Sequence, residues 1–330
     1  MPRIGINPAR GRMSDYRPSR VTLAMLTHIP DQSGYFQNRF DVMRLSLESL
    51  IAHSPAGTDV LVFDNGSCQP VVDYLRSMRD ARKITYLLLC SRNIGKIGAF
   101  QILFRAAPGD IIAYADDDIL FLPGWLDASL IVLDSFPNVG MVSGYYVRSH
   151  MKHGIQSTLK FAEEAGRTIE RGQILPREWE QHYIDNYGRS WEQYQHEISG
   201  VEDFVIGTNG VEAFISAQHM QFLIPKRVIL EALPKKWGGQ LMGQMKELDI
   251  SVDSLGYLRL STREPVTRFL GNAIGEENAA LAGSLGLQAR VSEVKPRHGG
   301  LLAALYRNRT VHYLAQGLYN RLYTVINAYE

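Results

Sequence analysis

The sequence predicts an α/β fold in which a mostly parallel central sheet is flanked by helices. Short runs rich in β-branched residues alternate with segments of helical period, and this alternation occurs five times before residue 146. Of the 330 residues, 45% are hydrophobic and 21% charged, close to the globular average, so the chain can bury a core of its own. Because 35 basic residues nearly balance 34 acidic ones, we do not expect nucleic acid to be the main partner.

Strands and helices alternate through the first half of the chain. The predicted strands are 20–26, 58–63, 83–89, 110–115 and 139–146. The predicted helices are 38–54, a helix that Pro70 opens, 95–107 and 122–136. In an open sheet of this kind ligands bind beyond the carboxyl ends of the strands, so the residues that follow each strand are the candidates for a site.

The alternation stops at residues 147–212, a polar stretch rich in aromatic residues with weak helical period, which we expect to be an inserted lid or acceptor platform. Strands resume at 212–217 and 220–225, a predicted antiparallel pair, and at 256–262. The predicted organisation is a flexible Arg-rich leader (1–19), one domain (20–272) and a helical C-terminal extension (273–330).

Leucines recur at helical spacing in residues 301–329. This helix is expected to dock on the body or to pair with a second copy as a homodimer, and contact with a membrane surface is the alternative. No apolar run approaches the ~18–20 residues of a transmembrane span, and no secretory signal is evident. Cys68 and Cys90 have no metal-ligand spacing, so a cytoplasmic, reducing location is expected.

Polar residues directly follow four of the predicted strands. They are Thr27 and His28, the turn 64–67 with Asp64, Asn93, and the acidic triplet Asp116, Asp117 and Asp118. Three adjacent carboxylates repel one another unless a cation is near. Alternate side chains of an extended segment share a face, so Asp116 and Asp118 can hold one ligand. A Mg²⁺ or Mn²⁺ ion completed by substrate phosphates fits this pattern. The alternative is an acidic turn that caps the next helix.

Three segments resemble, in order and spacing, the motifs of glycosyltransferase family 2. They are VFDNGS (62–67), RNIGKIGAF (92–100) and AYADDDILFLPGW (113–125). The resemblance is specific over about 21–146 and weaker over about 208–272. It implies the GT-A fold, a Rossmann-like, mostly parallel sheet with a smaller antiparallel element. The nucleotide-sugar half would be 20–146, followed by the insertion 147–212 and an acceptor-side half at 213–272.

The resemblance also implies an activity. Such an enzyme moves a sugar, a hexose or a related one, from a nucleoside diphosphate sugar to a hydroxyl acceptor and inverts the anomeric centre. The acceptor would be a saccharide or glycoconjugate, as in polysaccharide biosynthesis. A divalent cation, Mn²⁺ or Mg²⁺, would assist.

Site roles follow from the same resemblance. Asp64 would contact the nucleotide base, and Asp118 with Asp116 would hold the metal, Asp116 lying near the ribose. The remaining nucleotide-binding residues would be Thr27, Asn93, Lys96 and Asp117. Residue chemistry agrees, because an ionised Asp accepts from a uracil-like N–H and a lysine at a helix start suits a diphosphate. The alternatives are an Asx-turn for Asp64 and a solvated surface lysine for Lys96.

The resemblance also implies that the base comes from an acidic motif before a Gly-Tyr strand, which here is the segment 237–262 with Glu247 and Asp249. Asp249 is preferred, and helix surface charge is the alternative. Phe269 stands where many relatives have a metal-binding histidine. Water and diphosphate, or His219, would then complete the metal shell, or metal dependence is weakened.

Two other histidines and two other functions complete the predictions. His150 and His153 have no carboxylate neighbour in the sequence and are expected at the surface. A sugar nucleotidyltransferase would need a Gly-rich, basic loop after the first strand, which THIPDQSGYFQNR does not supply. A non-catalytic nucleotide-binding protein on the same scaffold is the third hypothesis.

Overall fold

The computed structural model describes residues 4–164, 166–188, 190–236, 238–242 and 245–293. The strands are β1 (Val21–Thr27), β2 (Asp59–Asn65), β3 (Tyr86–Cys90), β4 (Ile111–Asp116), β5 (Ile119–Phe121), β6 (Val139–Ser143), β7 (Thr168–Gly172), β8 (Asp203–Thr208), β9 (Val211–Ile215), β10 (Gln221–Pro225), β11 (Leu258–Thr262) and β12 (Thr267–Phe269). The helices are α1 (Arg39–Ala52), α2 (Gln69–Asp80), α3 (Lys96–Ala106), α4 (Trp125–Ser135), α5 (Gln156–Glu164), α6 (Arg177–Tyr187), α7 (Trp191–Glu197), α8 (Lys226–Ala232), α9 (Met245–Ser254) and α10 (Glu276–Ser284).

The described strands form a ten-stranded central sheet in the order β3-β2-β1-β4-β10-β6-β11-β9-β8-β7, and β12 pairs with β5 in a small antiparallel sheet. Seven strands of the large sheet run in one direction, while β7, β9 and β10 run the other way. The predicted α/β class, with a mostly parallel sheet and a smaller antiparallel element, is confirmed.

The predicted antiparallel pairing of 212–217 with 220–225 is wrong. Strand β9 pairs with β8 and β11, whereas β10 pairs with β4 and β6. The chain turns between them at Ser216, whose φ is 90°, and β6 and β11 separate the two strands in the sheet. A short connection between two strands therefore did not make them neighbours here.

The sheet register places the strand ends beside one another. Thr27 at the end of β1 is level with Asp64 of β2, and Leu26 is level with Asp116 of β4. Parallel strands bring their carboxyl ends to the same edge. The polar residues that follow these strands therefore meet at that edge.

Alternating side chains of the central strands pack on two faces. Leu23 and Met25 of β1 join a buried cluster with α1 and α4, whereas Ala24 joins a cluster with α3, α8 and α9. Aromatic side chains of α3 fill the second face against Tyr114 of β4, whose ring lies 4.8 Å from that of Phe100. Both faces are thus covered, and the carboxyl edge of the sheet stays accessible between them.

Residues 147–212 carry more regular structure than their weak period predicts, namely α5, α6, α7 and strands β7 and β8. Buried charge organises this segment. Arg148 donates to both oxygens of Asp203 at 2.8 and 2.7 Å and lies 2.8 Å from Glu180. Apolar periodicity cannot reveal such a segment, because its interior is partly ionic.

The contacts of the chain divide it into residues 1–291, which contain every element named above, and residues 292–330. The helix predicted over 301–329 lies outside the described residues. Within the described ranges, no helix combines the length and the apolar character that a membrane crossing needs.

Candidate active site

A cavity of about 580 Å³, called here the edge cavity, opens at the carboxyl edge of the sheet. Four of the candidate ligand residues from the sequence line it: Lys96, Asp116, Asp118 and His219. Its other walls come from Tyr35, from 185–188 and 269–273, and from Met220, Met242 and Met245. The edge cavity therefore lies where parallel strands end, as the sequence predicts.

Two basic side chains of the protein partly neutralise the acidic triplet. Arg39 of α1 donates to Asp118 Oδ2 at 2.9 Å and also to Asp117. Lys96 Nζ lies 2.7 Å from Asp116 Oδ1 and donates to Oδ2 at 2.8 Å. Three adjacent carboxylates repel one another unless a cation is near, and the protein itself supplies two, Arg39 and Lys96. Arg39 is a site residue that the sequence analysis did not single out.

One carboxylate oxygen of the triplet has no partner among the described residues. It is Asp118 Oδ1, which is buried. Burial raises the pKa of Asp118 to about 6, although Arg39 opposes the rise, and the charges of Asp116 and Asp117 add to it. Two cations against three carboxylates leave one negative charge. Asp118 Oδ1 therefore fits one ligand position of a divalent metal, whereas both oxygens of Asp116 are engaged by Lys96 and Tyr114.

Thr27 and Asp117 lie beneath the edge cavity rather than on its wall. Both are buried, and Thr27 Oγ1 donates to Asp117 Oδ2 at 2.5 Å. Asp117 also accepts from Arg39. The alternation of Asp117 with Asp116 and Asp118 agrees with the predicted pattern, in which successive side chains of the triplet point to opposite faces. In this structure the two residues hold the floor of the site together.

Asp64 and Asn93 lie at neighbouring strand ends. Both oxygens of Asp64 are 3.3 Å from the backbone N of Ser67, and burial raises the pKa of Asp64. Asn65 joins the two ends, because its side chain donates to Asn93 Oδ1 and accepts from the backbone N–H of Ile94, each at 2.9 Å. Neither Asp64 nor Asn93 lines the edge cavity, so they mark a separate part of the same sheet edge.

The start of α3 lies beneath residues 238–242. Its N-cap is Gly95, with a φ of 76°, and a Cβ there would meet Gln240 O at 2.3 Å. The backbone N–H of Lys96 donates to Leu241 O at 2.8 Å. The first amide of this helix is therefore engaged by the protein chain, while the Lys96 ammonium faces the edge cavity.

The predicted bases lie on α9, and neither lines the edge cavity. Glu247 is exposed. Asp249 is fully buried, with Arg259 Nη2 2.9 Å from Oδ1 and His219 Nδ1 2.9 Å from Oδ2. Burial alone would raise the pKa of Asp249, but Arg259 and the neighbouring histidines hold it well below its usual range. Arg259 is a fully buried arginine within a predicted strand. Because an isolated buried charge is very costly, such an arginine indicates a carboxylate partner, here Asp249.

His150 is not a surface residue, contrary to the prediction. It is 8% exposed, and the carboxylate that the local sequence lacks is Asp249, supplied by α9. His153 Nε2 lies 3.5 Å from Asp249 Oδ2. A carboxylate so distant in sequence could not be paired with these histidines from local spacing. Together, His150, His219 and Asp249 form a group that could hold a metal ion.

Phe269 lines the edge cavity close to the acidic triplet. It ends β12, and the next residue, Leu270, donates its N–H to Asp118 O at 2.8 Å. The Phe269 ring contacts Tyr183 and Tyr187, with ring centroids 6.3 and 5.8 Å away. An aromatic ring, which cannot coordinate a metal, therefore lines the edge cavity close to Asp118.

Residues 36–193 match the family model described as Glycosyl transferase family 2. The resemblance predicted from the sequence is thereby confirmed for the part of the chain that contains Lys96 and the acidic triplet. The mixed α/β sheet described above is the architecture that this resemblance implies. No curated protein matches the sequence.

Several solved glycosyltransferase structures are similar. The mannosyltransferase PcManGT from Pyrobaculum calidifontis, in complex with GDP-Man and Mn²⁺, is 25% identical over 41% of this chain, with a TM-score of 0.33. TarS from S. aureus (residues 1–349) is 12% identical over 76%, with a TM-score of 0.43. GalNAc-T7 with UDP, GalNAc and Mn²⁺ is 12% identical over 77%, with a TM-score of 0.47. This chain spans 37%, 60% and 44% of the lengths of those structures.

Proposed function

We propose that the protein is a glycosyltransferase that moves a sugar from a nucleoside diphosphate sugar to a hydroxyl acceptor. The observation that carries the proposal is the edge cavity, which Lys96, Asp116 and Asp118 line inside the family-matched region, with no partner for Asp118 Oδ1 among the described residues. A diphosphate needs positive charge, and this cavity offers an ammonium group together with a position for a divalent cation.

The donor half of the proposal assigns a role to each residue. Lys96 binds the diphosphate, and Asp116 positions the ammonium until phosphate oxygens take its place. Asp64 accepts an N–H of the base at the neighbouring strand ends, beside the Asn65–Asn93 link. Arg39 keeps Asp117 and Asp118 in place from below. Thr27 acts through Asp117 and does not touch the donor.

A divalent cation fits this site through Asp118 alone. Asp118 Oδ1 would be the protein ligand, and oxygens of the donor diphosphate would complete the shell, which is a usual arrangement for Mg²⁺ or Mn²⁺. Such an ion supplies neutralisation of the charge that develops on the leaving diphosphate. Phe269 contributes no ligand, so fewer protein groups hold the ion than in relatives with a histidine there.

An acceptor hydroxyl must lose a proton, and we place the base on α9. Asp249 would have to leave Arg259 to reach an acceptor, and its lowered pKa makes it a weak base. Glu247 is exposed in the first turn of α9, so it can meet an acceptor without leaving a buried arginine unpaired. We therefore assign proton removal to Glu247 and a positioning role to Asp249.

Several finer features stay predictions from the sequence. They are the inverting outcome, transfer of a hexose or a related sugar, a saccharide or glycoconjugate acceptor, and a role in polysaccharide biosynthesis. A lid or acceptor platform formed by 147–212, a cytoplasmic location and a homodimer through the C-terminal segment belong with them.

Calorimetry and donor turnover test the proposal. A panel of nucleoside diphosphates is titrated with and without Mn²⁺, and hydrolysis of the matching nucleotide sugars is followed. We expect Asp118→Asn to lose the Mn²⁺ dependence and about 10²-fold or more of the turnover. Asp127→Asn, an exposed carboxylate on α4, serves as the control. Undiminished turnover in Asp118→Asn would overturn the metal assignment.

The same assays separate the rival functions. Nucleotide binding with no turnover across sugars and acceptors would identify a non-catalytic binding protein. Release of pyrophosphate from a nucleoside triphosphate and a sugar phosphate would identify a nucleotidyltransferase. When an acceptor is found, Glu247→Gln is expected to slow transfer by about 10²–10⁴-fold.

A further inference from the structure

A histidine cluster that contains no residue of the acidic triplet reaches the wall of the edge cavity through His219. It consists of His150, His153, His219 and Asp249. One ligand atom each of His150, His219 and Asp249 lie within 4.8 Å of one another, and His153 Nε2 is 3.5 Å from Asp249 Oδ2. The three imidazole rings are close, with centroids of His150 5.2 Å from His219 and 5.9 Å from His153.

Two nitrogens of the histidine cluster are buried without a hydrogen-bond partner in the described part of the chain. They are His150 Nδ1 and His153 Nε2. A buried polar atom without a partner costs about 1–3 kcal/mol, so native structures rarely retain one without a ligand, water or ion. The neutral imidazole is the form that binds metals, so ring nitrogens without a protein partner fit metal ligands.

The surroundings of Asp249 resemble those of a ligating carboxylate. Arg259 Nη2 lies 2.9 Å from Oδ1, while Oδ2 faces His219 at 2.9 Å and His153 at 3.5 Å. Carboxylates that bind metals are commonly held through their second oxygen by a group of this type. Arg259 donates to the backbone oxygens of His153 and Gly154 at 3.2 and 2.6 Å, so it also fixes the histidine-bearing turn.

The backbone at Gly154 closes tightly over the cluster. Its φ is 64°, and a Cβ there would meet Arg259 Nη1 at 2.6 Å and Asp249 O at 2.7 Å. Only glycine allows both this conformation and this approach. The turn that carries His150 and His153 is thus held directly against α9.

We propose that His150, His219 and Asp249, with His153 as the fourth ligand, bind a divalent transition-metal ion of the zinc class. Imidazole nitrogens with one carboxylate suit Zn²⁺ in tetrahedral coordination, whereas Mg²⁺ and Mn²⁺ prefer oxygen-rich sites such as that at Asp118. The ion would link three parts of the chain. They are the turn at Arg148–Lys152, His219 directly before Met220, and α9. It would thereby fix His219 in the wall of the edge cavity.

Metal content and spectroscopy test this site without any substrate. The untagged full chain is stripped with a chelator and dialysed, and Zn²⁺ binding is then measured by calorimetry and elemental analysis. Co²⁺ serves as the optical probe, because tetrahedral Co²⁺ absorbs strongly in the visible range. The expected result is about one equivalent of bound Zn²⁺ that excess Mg²⁺ does not displace. Absence of such binding in the wild-type chain would overturn the proposal.

Variants identify the ligands. His150→Gln and His219→Gln are expected to weaken Zn²⁺ binding by about tenfold or more. His196→Gln, an exposed histidine of α7, and Asp118→Asn are expected to retain it. Zn²⁺ should raise the melting temperature of the wild type more than that of His150→Gln. If His150→Gln does not fold, His153→Gln, at the less buried ring, gives the same comparison.

Two results of the variant series would overturn the assignment. One is binding that is equal in His196→Gln and in the cluster variants, which would indicate an adventitious surface site. The other is loss of the ion in Asp118→Asn, which would place it at the acidic triplet. Because no readout is a transfer rate, the zinc proposal and the glycosyltransferase proposal fail separately.

Discussion

Arg39 on α1 donates to Asp118 Oδ2 across 2.9 Å, over a separation of 79 residues in the sequence. The same guanidinium donates to Asp117, so one side chain pairs with two members of the acidic triplet. A buried guanidinium paired with two carboxylates is costly to remove, because the carboxylates lose their counter-charge without returning to water. Asp117 and Asp118 therefore depend on Arg39 whenever no metal ion is bound.

Replacing Arg39 with methionine should destabilise the protein and increase its response to metal. We expect the free energy of unfolding in urea to fall by about 3–5 kcal/mol, since two buried carboxylates lose their partner. Mn²⁺ should raise the melting temperature of Arg39→Met more than that of the wild type. Arg44→Met, on the same helix but with 35% of its side chain exposed, should cost no more than about 1 kcal/mol. Equal costs for the two variants would contradict the role given to Arg39.

Two variants should separate base recognition from diphosphate recognition. Lys96→Met removes the ammonium group of the edge cavity, so affinity for both a nucleoside diphosphate and inorganic pyrophosphate should fall by about tenfold or more. Asp64→Asn replaces the charged acceptor for the base with a neutral amide, so only the nucleoside diphosphate should bind more weakly, by about tenfold. Calorimetry with the two ligands measures both effects. Weaker pyrophosphate binding by Asp64→Asn would show that Asp64 does not act through the base.

Gly95 and Gly124 are both helix N-caps with φ near 77°, but ψ is 157° at Gly95 and 3° at Gly124, so only Gly124 lies in the left-handed helical region. A Cβ at Gly124 meets nothing within 4 Å, whereas one at Gly95 meets Gln240 O at 2.3 Å. Gly124→Ala should therefore cost only the strain of a left-handed residue, about 1 kcal/mol. Gly95→Ala should also displace residues 238–242 from the start of α3. Limited proteolysis of this segment is the readout, and similar cleavage in the two variants would refute the contact.

Arg148 should contribute far more to stability than Arg171. Arg148 is 3% exposed and binds two buried carboxylates, whereas 62% of the Arg171 side chain in its pair with Glu202 is exposed. Arg148→Ala should lower the free energy of unfolding by about 3–5 kcal/mol. Arg171→Ala should change it by about 1 kcal/mol or less. Urea denaturation of both variants checks the contrast, and a small effect at Arg148 would mean that its partners find other donors.

The sequence was sufficient for the sheet edge and the acidic triplet, because both depend on local patterns. Strands β1, β2 and β4 are short apolar runs, and each is followed at once by polar residues. Parallel pairing then aligns those residues without further information. The first turn of α3, with Lys96 beside Asp116, follows from the same geometry.

Long-range partners of buried charges could not be read from the sequence. Arg39 looks like any basic residue at the start of a helix, and nothing local ties it to a triplet 79 residues later. His150 lacked a carboxylate neighbour for the same reason, since Asp249 comes from α9. Residues 147–212 show only a weak helical period in the sequence because ion pairs of Arg148 with Glu180 and Asp203 stabilise them. Such ion pairs produce no periodic pattern of apolar residues. The spacing of apolar residues in a sequence does not reveal a segment whose interior consists of ion pairs.

The position of β10 has a consequence for how the protein can fold. β10 lies between β4 and β6, although 112 residues separate Ile224 of β10 from its pairing partner Ile112 of β4. Until β10 is in place, both neighbouring strands present unpaired backbone at an open edge, which is an aggregation hazard. A fragment that ends at residue 146 would keep both edges open, even though it contains the acidic triplet. Activity from such a fragment is not expected. The nucleotide-sugar half proposed for 20–146 depends on β10 to cover an open strand edge, and β10 is synthesised much later.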